Sequence, residues 1–417
     1  MIKDLTRKNI IKNNTNFKFS NRVEKIKPSF TLQMATIAAE MKSQGLDIIN
    51  FSVGEPDFNT PNHIIAAGKM AMDKGYTKYT AGPGMIEFRE AICQKLEREN
   101  NIIYNPNNIL VSNGEKQSLY TVCQALFGKG DEVIVCRPYW VSFPEFVHLS
   151  DAIPVIVNTI VKNNFEVDFD DLIQKISNKT KGIIINTPSN PTGGVWRDDA
   201  IIELLKIAKR NNWVVISDEC YERLVYNGKF NSTEKLNRDH NLGASVLTCM
   251  SLSKTYAMTG WRIGYIAGNK HLVKAIGKLQ GQSTSCPNSI AQHAAIEALA
   301  GNQKCVETMR NTFKKRRDLI IQELLKIPNV ACEVPNGAFY VFPNFSKYLN
   351  SNDGSEKTLK TASDLSLYIL NTTGVVTVAG DSFGAPGFIR LSYATSEETI
   401  IKAIALIQSA LKKLTFK

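Results

Sequence analysis

The sequence predicts an α/β fold joined to a smaller α+β unit. Between about residues 65 and 330, short apolar runs recur roughly 20–35 residues apart, with helix-like stretches between them. After Pro328 the spacing changes. The composition, 43% hydrophobic and 21% charged over 417 residues, is that of a globular chain. At roughly 150 residues per domain, that length suits two or three domains.

The apolar runs Asn108–Val111, Glu132–Cys136, Val155–Val157, Gly182–Ile185, Trp213–Ser217 and Val246–Met250 read as strands of a parallel sheet, with Gly260–Gly268 as a further candidate. Leu204–Arg210 and Ile290–Ala300 read as helices. Beyond Pro328, Gly337–Phe342, Val375–Ala379 and Phe388–Tyr393 are expected strands, with helices near 362–371 and 396–413. The expected division is a basic extension at 1–15, an N-terminal segment at 16–62 that packs with the smaller unit, a large domain at 63–328, and a small domain at 329–417.

The formal charge of +11 is concentrated at one end. Residues 1–29 hold eight lysines and arginines against two acids, leaving only +5 for the rest, without basic stripes. The pattern argues against nucleic acid as partner. No apolar run approaches the ~20 residues of a bilayer span, which argues against a membrane partner. Eight cysteines without a CxxC pair suggest buried thiols in a reducing compartment. The first 20 residues lack a secretory core, so the expected location is cytoplasmic, with an organelle address on the basic arm left open. Five scattered histidines have no metal-ligand spacing, and no metal is expected.

The polar residues that follow the strands carry the chemistry, because ligands of parallel α/β sheets bind at the strands' carboxyl ends. Asn108–Val111 leads into Ser112-Asn113-Gly114-Glu115-Lys116, a turn suited to phosphate or required by geometry alone. Trp140 is either core or a plate for a flat ligand. The Pro/Gly-rich loop after Ile185 holds Asn190 stiffly. Asp218 closes a strand, as a helix cap or as the partner of a cation, and Tyr221 follows. Lys254 is a solvated lysine or, with its pKa lowered in a closed site, a nucleophile and base. Together with Arg262 these groups suit a flat, phosphorylated, electron-withdrawing aldehyde, and pyridoxal phosphate fits.

From about residue 20 to 415 the chain resembles the fold-type I, class I pyridoxal-phosphate aminotransferases, most closely the bacterial-type aspartate aminotransferase subgroup. The motifs are Lys27-Pro28-Ser29, Gly54-Glu55-Pro56-Asp57-Phe58, Thr77-Lys78-Tyr79, Pro138 to Ser142, Pro188 to Gly193, Ser217-Asp218-Glu219, Ser253-Lys254, Met258 to Tyr265, Gly337 to Tyr340 and Arg390 to Ser396, in the family's order. The resemblance implies a mostly parallel seven-stranded sheet in the large domain. It implies that Lys254 forms a Schiff base with the cofactor and then shuttles the substrate proton. Asp218 would pair with the ring nitrogen, Tyr221 and Asn190 would bind the ring oxygen, and Trp140 would stack on the ring. Arg262, Ser251 and the turn Gly114-Glu115-Lys116 would hold the phosphate. Tyr79 would reach the phosphate of a neighbouring subunit, implying a homodimer with shared sites. Arg390 would clamp the substrate carboxylate, aided by Asn190 and Gly54.

One departure stands in the cradle itself: Glu115 replaces a small residue, so only its backbone is expected to take part. In this subgroup Lys116 resembles a lysine that meets the distal carboxylate of aspartate, and Lys27 one found in relatives that transaminate prephenate. Phe30 and Ile37 could equally shape a pocket for apolar substrates. The expected reaction is ping-pong transfer of the amino group of L-aspartate to 2-oxoglutarate. The alternatives are a prephenate, aromatic or alanine aminotransferase or, further off, a β-lyase.

Overall fold

A computed structural model describes residues 18–26, 30–354 and 358–416. The expectations for residues 1–15 and for Lys27 lie outside the described residues. Seven strands form the main sheet: β1 (Ile109–Ser112), β2 (Glu132–Cys136), β3 (Ile153–Val157), β4 (Thr180–Asn186), β5 (Val214–Asp218), β6 (Ser245–Ser251) and β7 (Gly264–Gly268). Their order is β1-β7-β6-β5-β4-β2-β3. Only β7 runs antiparallel to its neighbours, β1 and β6.

Both faces of this sheet are covered, which is why its strands read as continuous apolar runs rather than alternating ones. Successive residues still face opposite ways. Ile184 and Ile216 join the core with Leu119, Val122 and Ile276 on one side. Ile183, Ile185 and Val215 join Leu204, Leu205 and Trp213 on the other. The covering helix Asp198–Arg210 starts with Asp198 and Asp199 and ends with Lys209 and Arg210, so its charges oppose its dipole.

The small domain is built on β8 (Tyr340–Val341), β9 (Val378–Ala379) and β10 (Ile389–Ser392), antiparallel in the order β8-β10-β9. The expected strand Val375–Ala379 is divided. Val375–Val376 pairs in parallel with Ile49–Asn50, whereas Val378–Ala379 pairs with β10. The N-terminal segment is thereby stitched into this unit. The Phe51 N–H donates to the Val376 carbonyl, the Ser392 N–H donates to the Phe51 carbonyl, and Met34 and Ala38 pack on Leu370 and Val376. Helices Ala362–Thr373 and Glu397–Leu411 cover the sheet. Each starts at a side-chain cap, Thr361 and Ser396 respectively. The expected strand Gly337–Phe342 pairs with β10 only at Tyr340–Val341; Gly337 instead bridges to Val225, so close to the large domain that a Cβ there would meet Pro188 at 2.7 Å and the backbone of Leu224 at 2.9 Å.

Candidate active site

Strand register aligns the polar residues at one edge of the main sheet. Asn186 of β4 is paired with Asp218 of β5, and Asp218 with Cys249 of β6. The antiparallel β7 reaches the same edge with its first residue, since Gly264 pairs with both Ser112 and Ser251. Arg262 therefore stands at this edge although it precedes its strand. A cavity of about 240 Å³ opens there. Gly54, Glu115, Lys116, Trp140, Asn190, Asp218, Tyr221, Ser251, Lys254, Arg262 and Arg390 all line it.

The turn before helix Glu115–Leu126 is shaped by Gly114, whose φ of 86° favours glycine. A Cβ there would lie 2.5 Å from Nη2 of Arg262. The guanidinium thus sits against Gly114, the N-cap of a helix whose first N–H groups have no acceptors within the helix. Arg262 is held by donating to the Thr259 carbonyl at 2.8 Å. Across β6, the Ser251 hydroxyl caps the short helix Leu252–Thr255 by accepting from Ser253 N–H at 3.0 Å, and this helix carries Lys254. Lys254 Nζ donates to the carbonyl of Gly54. Burial lowers the pKa of its ammonium, so more of it is neutral at a given pH.

Asn186 ties the next two groups together. Its Nδ2 donates to the Asp218 carbonyl at 3.1 Å, and its Oδ1 accepts from the Asn190 N–H at 2.8 Å. The Tyr221 and Tyr340 hydroxyls meet at 2.9 Å, and burial raises both phenols, Tyr340 to about 12. Arg390, 2% exposed, comes from the middle of β10. It donates to Asn190 Oδ1 at 2.9 Å and to the Ser52 carbonyl at 2.6 Å, while its buried Nε has no partner. Its guanidinium stacks 4.7 Å from the Tyr340 ring and 5.3 Å from that of Phe383. Trp140 is braced edge-on by Phe143 and Phe146, and Lys116 Nζ lies 4.9 Å from its ring.

Two residues singled out in the sequence do not line this cavity. Tyr79 is 91% exposed and outside the cavity. Ile37 packs in the Met34–Leu370 cluster rather than lining the cavity. Glu115 does line it, but its carboxyl does not sit by the Gly114 turn as a negative charge beside an anion. It reaches β5, where its oxygen, the Asp218 carboxylate and the Cys220 sulfur lie within 4.8 Å of one another. Sequence reasoning missed Tyr340, Asn186 and Ser52. Tyr340 ends the Gly337–Tyr340 motif and was within reach. Asn186 and Ser52 act through a strand end and a backbone carbonyl, which carry no motif.

The "Aminotransferase class I and II" family matches residues 46–407. The chain is 41% identical to an aspartate aminotransferase of Bacillus sp. (strain YM-2), covering 94% of this chain and 99% of that one. It is also 41% identical to an aspartate/prephenate aminotransferase of Cereibacter sphaeroides, covering 94% and 98%. Among solved structures, the aspartate aminotransferase of Rhizobium meliloti superimposes with a TM-score of 0.91 at 37% identity, covering 96% of this chain and all of that one. The chain belongs to the class I and II aminotransferases.

Proposed function

We propose that the protein is a pyridoxal-phosphate-dependent aspartate aminotransferase, transferring the amino group of L-aspartate to 2-oxoglutarate to give oxaloacetate and L-glutamate. The observation that carries this reading is the convergence of Lys254, Asp218, Arg262 and Arg390 on one cavity. The residues fit the cofactor. The Gly114 turn under Arg262 is a cradle that a Cβ would fill, and the buried Arg390 Nε is an unused donor for a carboxylate. Pyridoxal phosphate, when bound, supplies an electron-withdrawing ring that accepts the charge left by removal of a Cα proton.

In this reading the Glu115 and Lys116 N–H groups that follow the Gly114 turn, Ser251 and Arg262 hold the phosphate. Asp218 holds a proton on the ring nitrogen, Tyr221 and Asn190 orient the ring oxygen, and Trp140 covers a face. Lys254, whose pKa burial lowers, would take the proton from the substrate Cα and deliver it to C4′ of the cofactor. Arg390 receives the α-carboxylate, with the Asn190 amide and the Gly54 backbone beside it. Lys116 at the rim is a candidate partner for the distal carboxylate, the pairing that aspartate requires. The relative named for both aspartate and prephenate supports a second reading, in which prephenate is also an acceptor.

We further propose a division into a large domain at 63–328 and a small domain at 329–417, with the segment 16–62 packing on the small domain through residues 34–51 while its Arg22 pairs with Asp151 of the large domain. A homodimer in the cytoplasm fits the exposed Tyr79, which would complete a neighbouring subunit's phosphate site. No helix among the described residues is long and apolar enough to cross a membrane. The deciding experiment is the near-ultraviolet and visible absorption of the purified protein before and after L-aspartate, without an oxo acid. A cofactor band that converts with aspartate is expected. A band that responds only to phenylalanine or alanine removes the substrate, and no band after added pyridoxal phosphate removes the function.

A further inference from the structure

Glu115 brings a second carboxyl into a site that needs one charge. Its oxygen lies within 4.8 Å of the Asp218 carboxylate, and Glu115 Oε1 is buried without a partner. An ionised carboxylate in that position would leave desolvated charge beside a like charge, which burial strongly disfavours. A neutral carboxyl leaves only one carbonyl oxygen unsatisfied and turns the other into a donor. Asp218 differs in kind. Its Oδ1 accepts from the Cys220 N–H at 3.3 Å, a contact that favours the charged form.

We propose that Glu115 and Asp218 form a hydrogen-bonded acid pair that holds one proton, with Glu115 the neutral donor and Asp218 the charged acceptor. Glu115 is then a positioning residue: its O–H fixes the orientation of the carboxylate that meets the ring nitrogen. This meaning for catalysis rests on the aminotransferase reading, but the proton on Glu115 does not. The charges point the same way. Burial raises both groups, and the contact between them raises Glu115 further while lowering Asp218. The other titratable groups facing the pair are Cys220 after β5, Cys249 of β6, Lys254 beyond it, and the Tyr221 and Tyr340 phenols, which burial keeps protonated. Arg262 stands on the far side of Gly114. The thiols are raised by burial and stay neutral. The Cys220 thiol, by its contact with Glu115, and then Lys254 favour the charged form of Glu115, but both come after burial and Asp218, which favour the neutral one.

The test uses the full chain free of cofactor, with the isosteric variant E115Q. Infrared spectra at neutral pH are expected to show a protonated carboxyl stretch in the parent that is absent from E115Q. Stability supplies a second readout. A carboxyl raised in the folded state binds a proton that the unfolded chain has released, so its contribution is fully present below the ordinary Glu value of 4.5 and is lost as pH rises towards the folded value. The melting temperature of the parent should therefore fall relative to E115Q as pH increases above that range. Parallel curves and an unchanged carboxyl stretch would overturn the proposal.

D218N distinguishes the pair from simple burial. The carboxyl stretch of Glu115 should titrate at lower pH once the like charge is gone, and an unchanged midpoint would overturn the pairing. This variant also decides the matter if E115Q does not fold. With pyridoxal phosphate added, E115A should lower kcat roughly tenfold, the scale of one charged hydrogen bond, and E115Q should retain most of it. Equal damage in both would overturn the positioning role. If the parent gives no cofactor band, the aminotransferase reading fails while the infrared result still stands.

Discussion

The two ends of the cavity handle buried charge in opposite ways. At the β5 end, two carboxyls and a thiol crowd together, and the conflict is relieved by a proton. At the β10 end, Arg390 cannot lose its charge. It is surrounded instead by neutral acceptors, Asn190 Oδ1 and the Ser52 carbonyl, and by the faces of Tyr340 and Phe383. A titratable site can adapt its charge to its ligand. A guanidinium among neutral partners keeps its full charge for an incoming carboxylate. The first arrangement suits a ring nitrogen whose protonation matters, the second a substrate that is always an anion.

Removing the charge at the acidic end should have the largest effect. Asp218→Ala is expected to leave some cofactor bound through Lys254 and Arg262 while lowering kcat roughly a thousandfold, about 4 kcal/mol of barrier, as befits lost stabilisation of developing charge. Single-turnover kinetics with L-aspartate check this. Near-normal turnover would remove the assigned difference between the two ends.

The cationic end should respond through binding. Arg390→Ala is expected to lower kcat/KM by roughly a hundredfold or more, about 3 kcal/mol, mostly through KM, because a fully buried partner of a carboxylate is lost. Arg390→Lys should recover only part, since an ammonium cannot form the two parallel bonds of a guanidinium. The cofactor band itself should be unchanged in both variants. A shifted band would mean that the two ends are coupled rather than separate.

Most of the large-domain edge was legible because its polar residues follow apolar runs, and the sheet needs only one rule to bring strand ends together. Asp218 and Lys254 were found this way. Arg262 was grouped with them, but its position depends on β7 running against its neighbours, which the run Gly260–Gly268 does not reveal. The small domain was less legible. Val375–Ala379 reads as one strand, yet its two halves pair with Ile49–Asn50 and β10, partners far off in the chain. Glu115 was the instructive case. Its neighbours suggested a phosphate turn, but the side chain at the first position of this helix reaches the end of β5, three places from β1 in the sheet.

Lys116 gives the smallest expected effect and the sharpest question about substrate. It stands at the rim beside Trp140, between the two ends, where burial and the nearby Arg262 both lower its pKa. A cation so placed gains from a second carboxylate only while it remains charged and only in part, because water still reaches it. Lys116→Ala should therefore lower kcat/KM for L-aspartate by roughly fivefold, about 1 kcal/mol, the scale of a partly solvated ion pair. The value for L-alanine, which has no distal carboxylate, should not change. The ratio of the two is the informative number, since loss of folding or of cofactor would lower both. An unchanged ratio would take the distal carboxylate away from Lys116 and leave acidic specificity to other groups.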